Sequence, residues 1–281
     1  KELVEGIAFY QFLCAILKDY DTRKTKIIHK LQTIGQKIFR KAYLMADMTV
    51  DHEGMQICTK PLVSFAGKLY TAPMSAVDCA VKTIGTCPRH NEAFITSGMV
   101  QYNACVGNFG GSGMAYSGSM NVLKNVLGNE YLWNNVRVKG GAYGCMCGFA
   151  PSGNGYFTSY RDPNLAKTYD IYANAADYVR SLALDDRELT KYIIGAVGAI
   201  DLPMTASMKG NRSLAAFLGE RSFEQIQKNR DELLATTVDD LRGLSKAVAS
   251  VIEAGHICVV GSESKITEEK DRFEYVAQLT Q

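Results

Sequence analysis

The sequence predicts an α+β fold in which helices cover one face of a mainly antiparallel sheet. Three observations carry that expectation. A Pro151-Ser152-Gly153-Asn154-Gly155 turn separates two short runs, the second with aromatic residues Tyr156 and Tyr160, which reads as a hairpin. Apolar residues recur at helical spacing on both sides of it. The order helix, helix, strand, polar turn, helix also occurs near each end of the chain, about two hundred residues apart. Such a period points to duplicated domains, or to the coincidence of two common supersecondary patterns.

The first helix is expected from Leu3 to Lys18, with Phe9, Phe12, Leu13, Ile16 and Leu17 as its apolar positions. Asp21 and Thr22 offer capping oxygens for a second helix. Ile27, Leu31, Ile34 and Ile38 form its inward stripe, and Lys30, Lys37 and Lys41 its wet side. A strand is expected from Tyr43 to Val50, then a turn at Asp51-His52-Glu53-Gly54 and a short helix near Leu62 to Tyr70. Pro73, Gly85 and Pro88 mark residues 73–91 as a linker between a unit at 1–72 and one at 92–281.

In the second unit a strand is expected from Phe94 to Val106, a flexible Gly-rich loop from Gly107 to Gly113 and a helix from Tyr116 to Asn134. The hairpin of Ala142 to Ala150 and Tyr156 to Arg161 follows, its Tyr156, Phe157 and Tyr160 serving partly as core and partly as a surface for extended peptide. Helices then cover Leu165 to Leu182, Arg187 to Ile200 behind an Asp185 or Asp186 cap, Met204 to Gly219 and Phe223 to Leu234. Thr236, Thr237, Asp239 and Asp240 signal another helix running to Ala254. A strand from His256 to Val260, a polar turn from Gly261 to Lys265 and a final helix carrying Phe273, Val276 and Leu279 close the chain.

The 281 residues are 47% hydrophobic and 21% charged, the balance of a soluble globular protein. A formal charge of +2 leaves no footprint for nucleic acid or an anionic membrane. The basic run from Arg23 to Lys41 reads as a solvated helix face. No apolar run approaches the ~20 residues that span a bilayer, and no secretory signal opens the sequence. Lys1 already lies inside a predicted helix, as in a piece of a longer protein. Eight scattered cysteines fit reduced, mostly buried thiols of a cytosolic protein. Cys145 and Cys147 lack the further ligands of a zinc site and the Cys-x-x-Cys spacing of a redox pair. Gly107 to Gly113 lacks the lysine of a phosphate loop. None of His29, His52, His90 and His256 has a second histidine four residues on, so no metal is expected in this chain.

The distinctive segment is Asn134-Asn135-Val136-Arg137-Val138-Lys139-Gly140-Gly141-Ala142-Tyr143-Gly144. Here a helix gives way to a strand, and adjacent glycines let the backbone turn sharply. Such a turn can aim Arg137 and Tyr143 at a common point, where guanidinium and phenol form a fixed donor pair for a carbonyl or oxyanion. Residue types alone favour the plainer alternative, an arginine ion-paired at the surface and a tyrosine packed in the sheet.

This segment, with Tyr156-Phe157-Thr158-Ser159-Tyr160-Arg161-Asp162-Pro163, resembles the C-terminal signature of presequence proteases, members of the insulinase and pitrilysin superfamily of inverted-zinc metallopeptidases. A looser resemblance extends over nearly the whole chain. Phe39-Arg40-Lys41 before Leu44-Met45 resembles the family's third domain, Asn91-Glu92-Ala93-Phe94 the entry into its fourth, and Val259-Val260-Gly261 the end of the fourth. The resemblance implies four related domains of the metallohydrolase type found in mitochondrial processing peptidase and insulinase relatives, paired into two halves. Residues 1–72 are then the C-terminal part of the third domain, only partly present, and residues 92–281 the fourth.

The same resemblance implies a zinc bound through His-x-x-Glu-His, a motif absent here, by the N-terminal half of the same polypeptide. It implies that Arg137 and Tyr143 act catalytically, reaching the backbone of short unfolded peptide substrates in a closed chamber, with Gly140 and Gly141 in the binding turn. This chain alone would neither hold zinc nor hydrolyse peptides. The implied setting is a bacterial cytoplasm or an organellar matrix. The alternative on the same fold is a non-catalytic peptide-binding or scaffold relative, against which the retention of Arg137 and Tyr143 argues.

Overall fold

The computed structural model describes residues 6–71 and 91–279. These form two compact units, one of residues 6–71 with Met204–Gly219, the other of residues 91–203 with 220–279. All of the expected linker but Asn91 lies outside the described residues.

In the first unit, helices Ile7–Lys18 and Tyr20–Ile38 meet at Asp19, whose carbonyl accepts from Thr22 Oγ1 at 2.8 Å. Asp21 and Thr22, expected as caps, therefore sit inside the first turn of the second helix. No strand forms over residues 43–50, contrary to expectation. Lys41–Tyr43 is a 3-10 turn, and the segment after it has no neighbouring strand among the described residues to take its backbone hydrogen bonds. The expected turn at 51–54 is the start of helix His52–Gly67, because the Asp51 carboxylate accepts from the Gly54 N–H at 2.7 Å and caps it. A further helix, Ala206–Leu218, is capped by Thr205. None of these four helices buries a residue. The stripe of the second helix is present but uncovered, with Leu31 and Ile38 exposed over 61% and 62% of their surface.

The second unit is built on six strands among the described residues: Glu92–Thr96 (β1), Gln101–Asn108 (β2), Gly144–Phe149 (β3), Asn154–Asp162 (β4), His256–Ser262 (β5) and Tyr275–Gln278 (β6). Their order is β3-β4-β2-β5-β1-β6. β2 runs antiparallel to β4 and β5, and β3 to β4, while β1 lies parallel between β5 and β6. The sheet is thus mainly antiparallel, as expected.

Several elements differ from expectation. The helices expected from Leu165 to Leu182 and running to Ala254 are each two, Ala166–Ala173 with Ala175–Arg180 and Val238–Gly243 with Ser245–Glu253. The run from Phe94 to Val106 is two strands, β1 and β2, rather than one. The polar turn at 261–265 holds helix Glu263–Glu268, capped by Ser262. The final helix is replaced by a 3-10 turn, Lys270–Arg272, and by β6, since β1 offers the chain a backbone ladder and pairing overrides local propensity. The repeated element order is therefore not reproduced: its first copy lacks the strand and its second ends in one.

Alternation along β2 separates the two faces of the sheet. Gln101, Asn103 and Cys105 point into the core, while Tyr102 and Val106 point out. Helices Ala166–Ala173 and Ser245–Glu253 pack on the inner face. Helices Asp186–Ile200, Phe223–Leu234 and Val238–Gly243 each begin with a reciprocal capping box, at Asp185, Ser222 and Thr237. Phe157 of β4 is fully buried against the rings of Phe149 and Tyr172, at 6.4 and 5.6 Å. The Tyr169 hydroxyl lies 3.3 and 3.0 Å from the carbonyls of Ala104 and Cys258, tying its helix to the two central strands. The Gly-rich loop is anchored rather than loose, since Phe109 is fully buried and its N–H donates to Gly153 at 2.8 Å.

On the outer face, Gly144 and Gly148 of β3 lie opposite Tyr160 and Tyr156 of β4. A Cβ at either glycine would meet the ring at 2.3 or 2.6 Å, so each tyrosine covers a glycine backbone. Phe157 is core, and Tyr156 and Tyr160 belong to the open face.

No helix of the described residues is long and apolar enough to cross a membrane. Phe157→Ala should lower stability by about 3–5 kcal/mol in urea denaturation. Met146→Ala, on the outer face of the adjoining strand and 45% exposed, should change it by about 0.5 kcal/mol or less.

Candidate functional site

Helix Ser119–Val126 continues into a wider π-helical winding over Leu127–Val138, in which N–H groups bond five residues back. Its buried positions, Leu127, Tyr131, Leu132 and Val136, follow that wider period. The sequence reading stops this helix at Asn134; its one signal for the wider winding is this apolar spacing of four and five. Trp133 and Arg137 fall on the outer side, with the guanidinium carbon 4.0 Å from the indole ring centre.

The helix ends at Gly140 and Gly141, each required for a different reason. Gly141 has φ 83°, in the left-handed region. A Cβ on Gly140 would lie 2.3 Å from the Val136 carbonyl oxygen. The Gly141 N–H donates to Arg137 at 2.8 Å and the Ala142 N–H to Val136 at 3.1 Å, closing the helix end. This turn delivers Tyr143 to the mouth of β3, where its N–H donates to the Arg161 carbonyl at 3.3 Å.

All four predicted residues, Arg137, Gly140, Gly141 and Tyr143, therefore stand together. Tyr143 is 58% exposed. The Arg137 guanidinium carbon is 5.9 Å from its centre, that of Arg161 is 5.4 Å away, and the Tyr160 ring meets it edge-on at 5.6 Å. Among the described residues no carboxylate comes within ion-pair distance of Arg137 or Arg161. Arg137 is stacked on an indole rather than ion-paired, and Tyr143 is presented rather than packed away. Trp133 and Arg161 belong to the same cluster, though the sequence reading assigns them no role. Trp133 lies four residues before Arg137 on one helix, which is the available sequence signal.

Beneath this cluster lies the fully buried carboxylate of Asp162. Its Oδ2 accepts from Ser159 Oγ at 2.6 Å, Thr168 Oγ1 at 2.8 Å and Asn103 Nδ2 at 3.2 Å, and its Oδ1 from the Asn164 N–H at 2.9 Å. The Asn164 amide in turn donates to the Gly140 carbonyl at 2.6 Å. A chain of hydrogen bonds thus links the end of β4 to the glycine turn. Asp162→Ala would strand several buried donors, each worth roughly 1–3 kcal/mol. It should lower the denaturation midpoint far more than Asn164→Ala, which removes mainly the link to Gly140 and should cost about 1 kcal/mol.

Burial pushes the thiols of Cys105 and Cys145 up to about 11 and that of Cys147 to about 12, even though the Arg137 charge opposes the shift at Cys145. They remain protonated at neutral pH, which is unlike a reactive or metal-binding pair. Unfolded, these thiols ionise near 9.0. The folded state therefore retains protons that the unfolded state loses, and their contribution to stability is complete below about pH 9 and falls as pH rises towards 12. Denaturation midpoints measured across that window should drop, and Cys147→Ala should flatten the drop. No group of three or more His, Cys, Asp or Glu side chains converges among the described residues, so they offer no ligand set for a zinc ion.

A family profile described as the PreP C-terminal domain matches residues 91–265. Protein HypA of Clostridium perfringens is 33% identical over 287 residues, covering 99% of this chain and 28% of that protein. Presequence protease 1, chloroplastic/mitochondrial, of Arabidopsis thaliana is 33% identical over 266 residues, covering 94% of this chain and 24% of that protein. The chain thus spans about a quarter of the length of these curated relatives. Among solved structures, a protease from Helicobacter pylori superposes with a TM-score of 0.50 at 14% identity, over 75% of this chain and 52% of that one, a likeness of fold. On its sequence profile and on these relatives, the chain belongs to the presequence protease C-terminal domain family.

Proposed function

We propose that this chain is the C-terminal, substrate-binding part of a zinc-dependent endopeptidase that degrades short, unstructured peptides inside a closed chamber. The observation that carries the reading is the pairing of Arg137 with Tyr143 across the Gly140-Gly141 turn. It sets a guanidinium with no carboxylate partner among the described residues beside an exposed phenol, 5.9 Å from guanidinium carbon to ring centre. In the reaction both groups donate hydrogen bonds to the substrate carbonyl and to the negative charge that develops on its oxygen. Two glycines leave the turn backbone open to an extended chain. The outer face of the sheet, with Tyr156 and Tyr160, lines the approach.

Zinc is assigned to the N-terminal half of the same polypeptide, in keeping with the lack of a ligand set among the described residues here. The donors of this chain act on whatever carbonyl is brought to them, and they complete the site only when the halves close. The compartment is a bacterial cytoplasm or an organellar matrix, a reading supported by one relative from a bacterium and one named chloroplastic/mitochondrial.

In the full-length protein, Arg137→Ala and Tyr143→Phe should each lower kcat/KM for a fluorogenic peptide by about 100-fold, or ~3 kcal/mol of transition-state stabilisation. Turnover close to unchanged in both variants would sink the assigned roles.

A further inference from the structure

Arg161 occupies a position its backbone does not favour. Between the pairs Gln101–Asp162 and Asn103–Ser159 the register of β2 and β4 shifts, so β4 carries one extra residue there, a β-bulge. Arg161 sits in it with φ 47°, one of two non-glycine residues in the left-handed region among those described. Glycine or asparagine would suit that conformation better. The bulge has a definite effect on side-chain direction: Asp162 points inward to its four donors, while Arg161 points out to the ring of Tyr143. Two guanidinium groups, those of Arg137 and Arg161, then flank one exposed phenol with no carboxylate within ion-pair distance of either among the described residues. Like charges held together without a counter-charge favour an incoming anion, and the planar guanidinium fork matches a carboxylate in particular.

We infer that Arg161 is a specificity-determining residue that receives a carboxylate of the bound peptide, beside the Arg137–Tyr143 donor pair. The inference rests on the reading of this site as a peptide-binding one. A carboxylate can come from an acidic side chain or from the peptide's C-terminus, and two matched sets of peptides separate these sources. One set exchanges Glu for Gln within the peptide; the other exchanges a C-terminal acid for its amide.

The test measures kcat, KM and the Kd of fluorescent peptides with the full-length protein and with its Arg161→Gln and Arg161→Gly variants. The unmodified protein should bind the carboxylate member of at least one set about 10-fold more tightly. Both variants should abolish that preference through Kd and KM, leaving kcat for the uncharged peptides nearly unchanged. Arg161→Gly suits the bulge, so its melting temperature should not fall, which separates lost recognition from lost folding. Absence of any carboxylate preference in the unmodified protein, or its survival in both variants, overturns the inference. If the preference depends on Arg161 while turnover ignores Arg137→Ala and Tyr143→Phe, the donor-pair reading fails and this inference stands. The reverse pattern sinks this inference alone.

Discussion

A carboxylate shut off from water has to be satisfied wholly by the protein around it, and in this chain that requirement organises the end of the hairpin. Asp162 gathers a strand serine, a helix threonine, an asparagine from the neighbouring strand and a loop N–H around its two oxygens. Each donor belongs to a different stretch of chain, so satisfying one buried charge fixes the relative positions of β2, β4 and helix Ala166–Ala173. The link continues through Asn164 to the carbonyl of Gly140. The geometry of an exposed cluster is thereby set by a group that never meets solvent. Asn103 Oδ1 and the Tyr172 hydroxyl are the buried side-chain atoms left without a partner in the second unit, and the former belongs to this same network.

The two units differ in how far hydrophobic burial goes. In the second, Phe109, Phe157, Leu123, Leu132 and Val259 have no exposed surface, and the sheet is closed on one face by helices. In the first, four helices carry apolar residues at the expected spacing yet bury none of them. Periodicity says that a face is apolar; it does not supply the layer that covers it. The curated relatives are about four times as long as the chain.

That distinction also explains which parts of the fold were legible. Two helices bounded by capping residues are legible nearly to the residue: Phe223–Leu234 as expected, and Asp186–Ile200 behind Asp185. The hairpin was legible from its glycine turn and alternating aromatics. Elements fixed by long-range pairing were not. β6 exists because β1 has a free edge, a fact written some 180 residues upstream, as the pairing of Glu92 with Tyr275 shows. Residues 43–50 look like a strand in composition and have no strand to pair with among the described residues. In the site, adjacent glycines and a flanking Arg and Tyr were enough to bring four residues together. The bulge that turns Arg161 outward depends on register with β2 and has no local signature.

One consequence of the stacking at Arg137 is optical. The chain has a single tryptophan, Trp133, and it is the residue on which that guanidinium rests. Trp133 is 43% exposed. Any event that draws Arg137 away, or seats a new group against it, changes the polarity and quenching felt by this one chromophore. The fold has in effect placed an intrinsic fluorophore within the Arg137–Tyr143 cluster.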